Sequence, residues 1–225
     1  MAEQINVKDI QVKVIPSKLA NEFVRKHHYS GKVVNMSTLH FGCFYRGVLH
    51  GVMSYGPPMD KRKVLGLVKT GLDEKRGWNS MLELNRMAFD DFLPKNSESR
   101  CLAVSIRLLK KNAPHIKWIL SFSDATQSGD GTIYRAVGFK LTQIKKNSTI
   151  VKLKSGEVIA KRGDSKLYHD LDGAKPLEGF QNRYIKILDG SSTMNCRVLP
   201  YGAIDEAGAG MLRGERITRK ERQGQ

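Results

Sequence analysis

The chain has 225 residues, 40% of them apolar, which suits one domain of ordinary size with a full core. Lys and Arg number 38 against 22 Asp and Glu, and a net charge of +16 points to a polyanionic partner: DNA, RNA or an acidic membrane surface. No run of 18 apolar residues is present to span a bilayer, the opening MAEQINVKDI lacks the apolar centre of a signal peptide, and Cys43, Cys101 and Cys196 have neither metal-finger spacing nor a disulfide framework, so a reducing, intracellular setting is expected.

Val12, Val14 and Ile15 predict a short opening strand, and Pro16-Ser17 a helix start with Ser17 as the cap. Leu19, Ala20, Phe23 and Val24 then predict one buried face over 17–27, and the helix runs out in His27-His28-Tyr29-Ser30-Gly31. Residues 38–55 read as a hairpin turning at Arg46-Gly47 and stopped by Gly56-Pro57-Pro58. The charged, glycine-punctuated stretch 60–80 reads as a loop with some local structure. Leu82–Phe89 alternates as a strand, with Leu82, Leu84, Arg86 and Ala88 on one face. Pro94 to Arg100 opens a long helix whose stripe includes Leu102, Ile106 and Leu109, and Asn112-Ala113-Pro114 stop it. Trp118–Phe122 is a continuous apolar run, the mark of a strand buried on both faces, with Ser123, Asp124 and Ala125 just past its end. A short helix over Thr132–Val137 closes at Gly138, and a strand follows from Phe139. Residues 151–154 and 157–160 predict a hairpin with a two-residue turn at Ser155-Gly156, and Tyr184–Leu188 a last strand. From Gly202 the composition turns to Gly, Ala and Arg, which predicts a mobile tail.

The strand–helix–strand unit over 82–122 implies two parallel neighbours, whose C-terminal ends normally hold the ligand. Arg86 lies on the first of these strands and Asp124 just beyond the second. Ser97 and Ser99 lie at the helix N-terminus, where free N–H groups favour an anion. Each has a plainer reading: an ion pair of Arg86 with Glu98, an N-cap for Asp124, and capping for Ser99.

This core, together with Tyr134 and Gly138-Phe139 in IYRAVGF, resembles the GNAT acyltransferase superfamily. That resemblance implies an α/β fold with a mixed central sheet, splayed parallel strands and flanking helices. ELNRM (83–87), PKNSESR (94–100), SFSDA (121–125) and GTIYRAVGF (131–139), in this order, resemble the Mom family of phage DNA-modification proteins over most of residues 25–145. What this implies is an enzyme that adds an acetamido-type (carbamoylmethyl) group to the exocyclic amino group of adenine in double-stranded DNA, protecting phage DNA from host restriction. It also implies activity residues at Arg86, Ser99, Asp124 and Tyr134. Tyr134 would be the general acid, and Asp124 a base, a metal ligand or a substrate anchor. The setting implied is the cytoplasm of the infected bacterial host.

The donor implied is acetyl-coenzyme A or a related compound, held by Asn96, Ser97 and Arg100. The turn KNSESR departs from the glycine-rich pyrophosphate turn of most GNAT enzymes. The product departs too, since it joins nitrogen to a methylene carbon where acyl transfer joins it to a carbonyl carbon. Base chemistry requires an extruded adenine, for which His28, Tyr29, Ser30 and His40 are the expected contacts, with Tyr29 as a stacking surface and Tyr55 and Trp78 as rivals. His27, His28 and His40 leave a metal such as iron open. The basic segments Lys61-Arg62-Lys63, Lys110-Lys111 and Lys145-Lys146 are expected to include phosphate contacts. The expected organisation is one domain over 1–200 (core 10–145, added strands 146–190) with a basic tail over 201–225, and a homodimer is compatible with it. Two other readings stand: a GNAT acetyltransferase acting on a protein or small amine, and a non-catalytic DNA-binding protein.

Overall fold

The computed structural model describes residues 5–124, 131–146, 150–154, 156, 158–160, 173–176, 179–212 and 215–216. In chain order the strands are Gln11–Val14 (β1), Leu39–Tyr45 (β2), Val48–Gly56 (β3), Val68–Lys69 (β4), Met81–Phe89 (β5), Trp118–Asp124 (β6), Lys140–Lys146 (β7), Ile150–Lys152 (β8), Val158–Ala160 (β9), Lys175–Pro176 (β10), Phe180–Ile187 (β11), Thr193–Met194 (β12), Met211–Leu212 (β13) and Glu215–Arg216 (β14). The main helices are Ser17–His27 (α1), Lys61–Val64 (α2), Glu74–Trp78 (α3) and Ser97–Asn112 (α4). The main sheet has seven strands in the order β1-β2-β3-β5-β6-β11-β7. The chain divides into two compact units, one of residues 1–122, 133–140 and 184–198, the other of 123–132, 141–183 and 199–225.

In the first unit, the β2–β3 turn forms where Arg46 and Gly47 both take positive φ (49° and 82°), the backbone that a tight hairpin needs. Helix α1 lays Ala20, Phe23 and Val24 onto Ile15, Val52 and Ala88. Each larger side chain contributes about 1.5–3 kcal/mol by leaving water. Two details of α1 differ from expectation. Pro16, not Ser17, stands at the cap and no side chain caps the helix, because Ser17 is already its first turn. Leu19 is exposed, since the buried stripe is narrower and runs through Ala20, Phe23 and Val24. Residues 60–80 fold into α2 and α3, capped by the carboxylates of Asp60 and Asp73. Strand β4 pairs with β12.

β5 and β6 are parallel neighbours joined by α4, which buries Cys101, Leu102, Ser105, Ile106 and Leu109. Their pairing runs from Met81↔Trp118 to Leu84↔Ser121 and stops, although β5 continues to Phe89 and β6 to Asp124. The two strands therefore part beyond Leu84 and Ser121. Ser123 and Asp124 still belong to β6 rather than lying past it. A second correction concerns β5. Tyr55 pairs with Leu84 and Ser54 with Arg86, leaving Asn85 as a bulge. Paired residues share a face, so Arg86 turns to the side opposite Leu84.

In the second unit, β10, β8 and β9 form a three-stranded sheet. Lys152 pairs with Val158, so the connection between β8 and β9 is wider than two residues; Gly156, at φ 88°, donates its N–H to the Leu153 carbonyl. Ser155 lies outside the described residues. Residues 203–206 form a helical turn that buries Ile204, and Ala209 is buried as well, where composition predicts a mobile tail. Small apolar residues among the glycines are enough to anchor this stretch. Residues 217–225 of that tail lie outside the described residues.

Candidate active site

The opening between β5 and β6 gathers side chains from four segments of the first unit. Tyr134, on the short helix Thr132–Ala136, is buried with its ring stacked on Tyr184 (4.9 Å between centroids, 27° between planes) and edge-on to Phe139 (5.4 Å). Gly138, at φ 79°, closes that helix and lets Phe139 return beneath Tyr134. The Tyr134 phenol lies beside the Ser121 hydroxyl. Burial raises its pKa, Ser121 opposes the rise and the Glu83 carboxylate adds to it. Ser121 is fully buried and its Oγ completes no hydrogen bond. Ser121 stands at the last paired position of β5 and β6 and Glu83 one pair before it, where the strands part. A little deeper, the Tyr55 hydroxyl bonds Ser105 Oγ at 2.7 Å, tying β3 to α4. Tyr55 is wholly buried and is core, not a stacking surface, while Trp78 is covered by Lys61 at 5.2 Å.

On the α1 side of the sheet, the bulge at Asn85 puts Arg86 in line with Ser54 and His40, through the pairs His40↔Ser54 and Ser54↔Arg86. His40 Nδ1 and Ser54 Oγ are 2.8 Å apart, both buried. Burial lowers the His40 pKa, opposed by the Ser37 carbonyl. Arg86 donates from Nε to the Lys32 carbonyl (2.8 Å) and from Nη1 to the Asn85 carbonyl (2.7 Å). Its anticipated ion pair with Glu98 is not formed: among the described residues no cation pairs with the half-buried Glu98, and its pKa is raised by desolvation. His28, just past α1, has its pKa lowered to about 4 by burial and by the nearby Arg86 charge. It is therefore a neutral imidazole at physiological pH, and its Nδ1 faces Ser30 Oγ at 2.8 Å and the Ser30 N–H at 3.2 Å. Tyr29 packs on the His28 ring (4.4 Å) and is largely exposed. Arg86, His28, Tyr29, Ser30 and His40 thus form one polar neighbourhood.

The turn into α4 explains how a glycine-free sequence can make it. Asn96 takes the left-handed backbone (φ 74°, ψ 1°) that glycine usually supplies, and Asn is among the residues that best tolerate it. Ser97 Oγ donates to the Pro94 carbonyl (2.6 Å) and Ser99 Oγ to the Asn96 carbonyl (3.1 Å), so both hydroxyls brace this turn. Arg100 keeps Nη1 buried without a hydrogen-bond partner. Asp124 ends β6 and falls in the second unit. Among the described residues, no cluster of three His, Cys, Asp or Glu side chains is placed to hold a metal ion, and no helix is long and apolar enough to cross a membrane.

Sequence reasoning misses Ser121, Glu83, Ser54 and the bulge. Asn85, a residue disfavoured inside strands, is the one hint of the last.

Residues 9–203 match the Mom protein family. Over 136 residues the chain is 34% identical to methylcarbamoylase mom of Escherichia phage Mu, covering 59% of this chain and 53% of that one, so the chain spans about half the length of the curated relative it matches. Among solved structures it resembles an IAA acetyltransferase from Bacillus cereus (TM-score 0.50, 12% identity, 80% of this chain and 99% of that one). It also resembles a GNAT family acetyltransferase from Elizabethkingia anophelis with acetyl-CoA bound (TM-score 0.50, 14% identity, 80% and 99%). At these identities the likeness shows the fold, which is GNAT-like.

Proposed function

This chain belongs to the Mom protein family, and from that membership we propose that it is a DNA-modifying enzyme that attaches an acetamido-type group to the exocyclic amino nitrogen of adenine, shielding phage DNA from host restriction. The observation that carries the reading is the buried Tyr134 phenol beside the parting of β5 and β6. Burial keeps that phenol protonated at neutral pH, which suits a general acid for the leaving group. Asp124, at the end of β6, takes the proton that the adenine nitrogen gives up as its new bond forms. Arg86, with His28 and His40 neutral around it, supplies the fixed positive charge of the site.

A coenzyme A-type donor fits the entry to α4. Asn96 makes the left-handed turn, the first-turn N–H groups of Glu98 and Ser99 face outward from the helix, and the unpartnered Arg100 Nη1 is a donor for phosphate oxygen. When bound, a coenzyme A-type donor carrying a carbamoylmethyl group on its sulfur would give up that group from the methylene carbon to the adenine nitrogen, and the carbon–sulfur bond broken would release a thiolate for Tyr134 to protonate. Plain acetyl transfer would join nitrogen to a carbonyl carbon, whereas the proposed product joins it to a methylene. The scaffold is that of an acetyltransferase and the reaction is a different one. Duplex DNA is the partner that a net charge of +16 favours, with the modified adenine turned out of the stack toward Tyr29 and His28.

The test is nucleoside mass spectrometry of DNA from cells producing the full chain. A modified adenosine is expected with the unaltered chain and is expected to fall by at least about a hundredfold with Tyr134→Phe. Standard nucleosides alone from the unaltered chain would sink the proposal.

A further inference from the structure

Two large aromatic side chains are strongly exposed among the described residues: Tyr29, already in the site, and Phe92, on the loop between β5 and α4, at 54% exposure. Phe92 is held in place on one side. Its ring stacks face to face on His50 (4.3 Å, 12°). His50 is the extra residue of a β3 bulge, since Cys43 pairs with Gly51 and Phe44 with Leu49. One carboxylate ties both partners down: Asp90 Oδ2 bonds His50 Nδ1 at 2.9 Å, and Asp90 Oδ1 accepts the Phe92 N–H at 3.1 Å. Tyr45 stands beside the ring (6.3 Å, 43°), and its own face carries the exposed Arg46 at 5.4 Å.

An exposed phenyl ring loses solvation energy unless its free face meets something apolar and flat. Here the covered face is fixed by an imidazole and a carboxylate, so little entropy is lost when a second planar group stacks on the other. We propose that Phe92, backed by His50 and Asp90 and flanked by Tyr45 and Arg46, is a stacking platform for an unpaired DNA base. Arg46 supplies a cation for the backbone beside the ring, in a chain of net charge +16. The exposed Asp91 next to Phe92 disfavours a phosphate on the ring itself and leaves that place to a neutral base. The platform sits at the C-terminal end of β5, the strand that borders the catalytic opening. The inference rests on the DNA-modifying reading above and extends it to a second contact.

The experiment uses the full chain and a duplex with one unpaired 2-aminopurine, read by fluorescence anisotropy and by quenching of the probe base. The unaltered chain is expected to bind and quench. Phe92→Leu keeps an apolar side chain but no stacking face, and is expected to bind this duplex about tenfold more weakly and to lose quenching. Phe92→Trp is expected to retain both. Equal affinity and quenching for Phe92→Leu and the unaltered chain, with adenine modification still present, overturns the platform alone; that is also the outcome if the ring serves a protein contact. An unaltered chain that neither binds nor modifies DNA overturns both the platform and the functional reading.

Discussion

His28→Asn tests whether the polar neighbourhood around Arg86 is held neutral as the geometry requires. Asn offers a side-chain oxygen near the place of Nδ1, so the contacts with the Ser30 N–H and hydroxyl can persist while the titration is removed. In the folded chain the His28 pKa falls from 6.5 to about 4, through burial first and Arg86 second. A histidine with a lowered folded pKa binds its proton preferentially in the unfolded chain. Its effect on stability is therefore nil above about pH 6.5, grows as pH falls toward about 4, and is constant below that. At about 1.4 kcal/mol per pKa unit, the full loss is at most about 3.5 kcal/mol. Urea unfolding between pH 7.5 and 4 should show the unaltered chain losing stability more steeply than His28→Asn, with the gap between them changing by about that amount. Arg86→Gln should narrow the gap, because the smaller of the two causes is removed. Parallel pH profiles for the unaltered chain and His28→Asn would refute the account.

Three other outcomes follow from the packing. Gly51→Ala places a methyl group 2.3–2.8 Å from the Phe89 ring, so it should lower stability by about 1–3 kcal/mol in chemical denaturation, and Phe89→Leu in the same chain should recover part of the loss. Asn96→Gly relieves a left-handed backbone and should leave stability within about 1 kcal/mol and coenzyme A affinity in calorimetry unchanged, whereas Asn96→Val should weaken both. With a thiol reagent, the half-buried Cys196 should react first; Cys43 and Cys101 are buried, and the Cys101 thiol beside it together with burial pushes the Cys43 pKa up, so both should react only on unfolding.

The hairpin predicted over 38–55 was legible because Arg46-Gly47 allows few turns, and α4 because its apolar stripe repeats at helical spacing. Trp118–Phe122 was legible as a buried strand from its apolar run; Trp118–Ser121 are fully buried and Phe122 is half-buried. Reading period two through β5 placed Arg86 with Leu84, and the bulge at Asn85 made that wrong. The turn before α4 reads as a departure from the glycine-rich pyrophosphate turn of most GNAT enzymes, yet Asn96 adopts the left-handed backbone that glycine usually supplies. Tyr134 was found through its motif, but Ser121 beside it was hidden in a run that reads as plain core.

The sequence by itself determined the order of strands and helices and the crossover that brings β5 beside β6, because turn residues and hydrophobic periods act over a few positions. Only the tertiary structure decided that β5 and β6 part at Leu84 and Ser121, that Arg86 faces His40 and His28, and that His50, Asp90 and Phe92 lock together. Those arrangements depend on register between distant strands, and a single bulge residue turns every side chain after it to the other face.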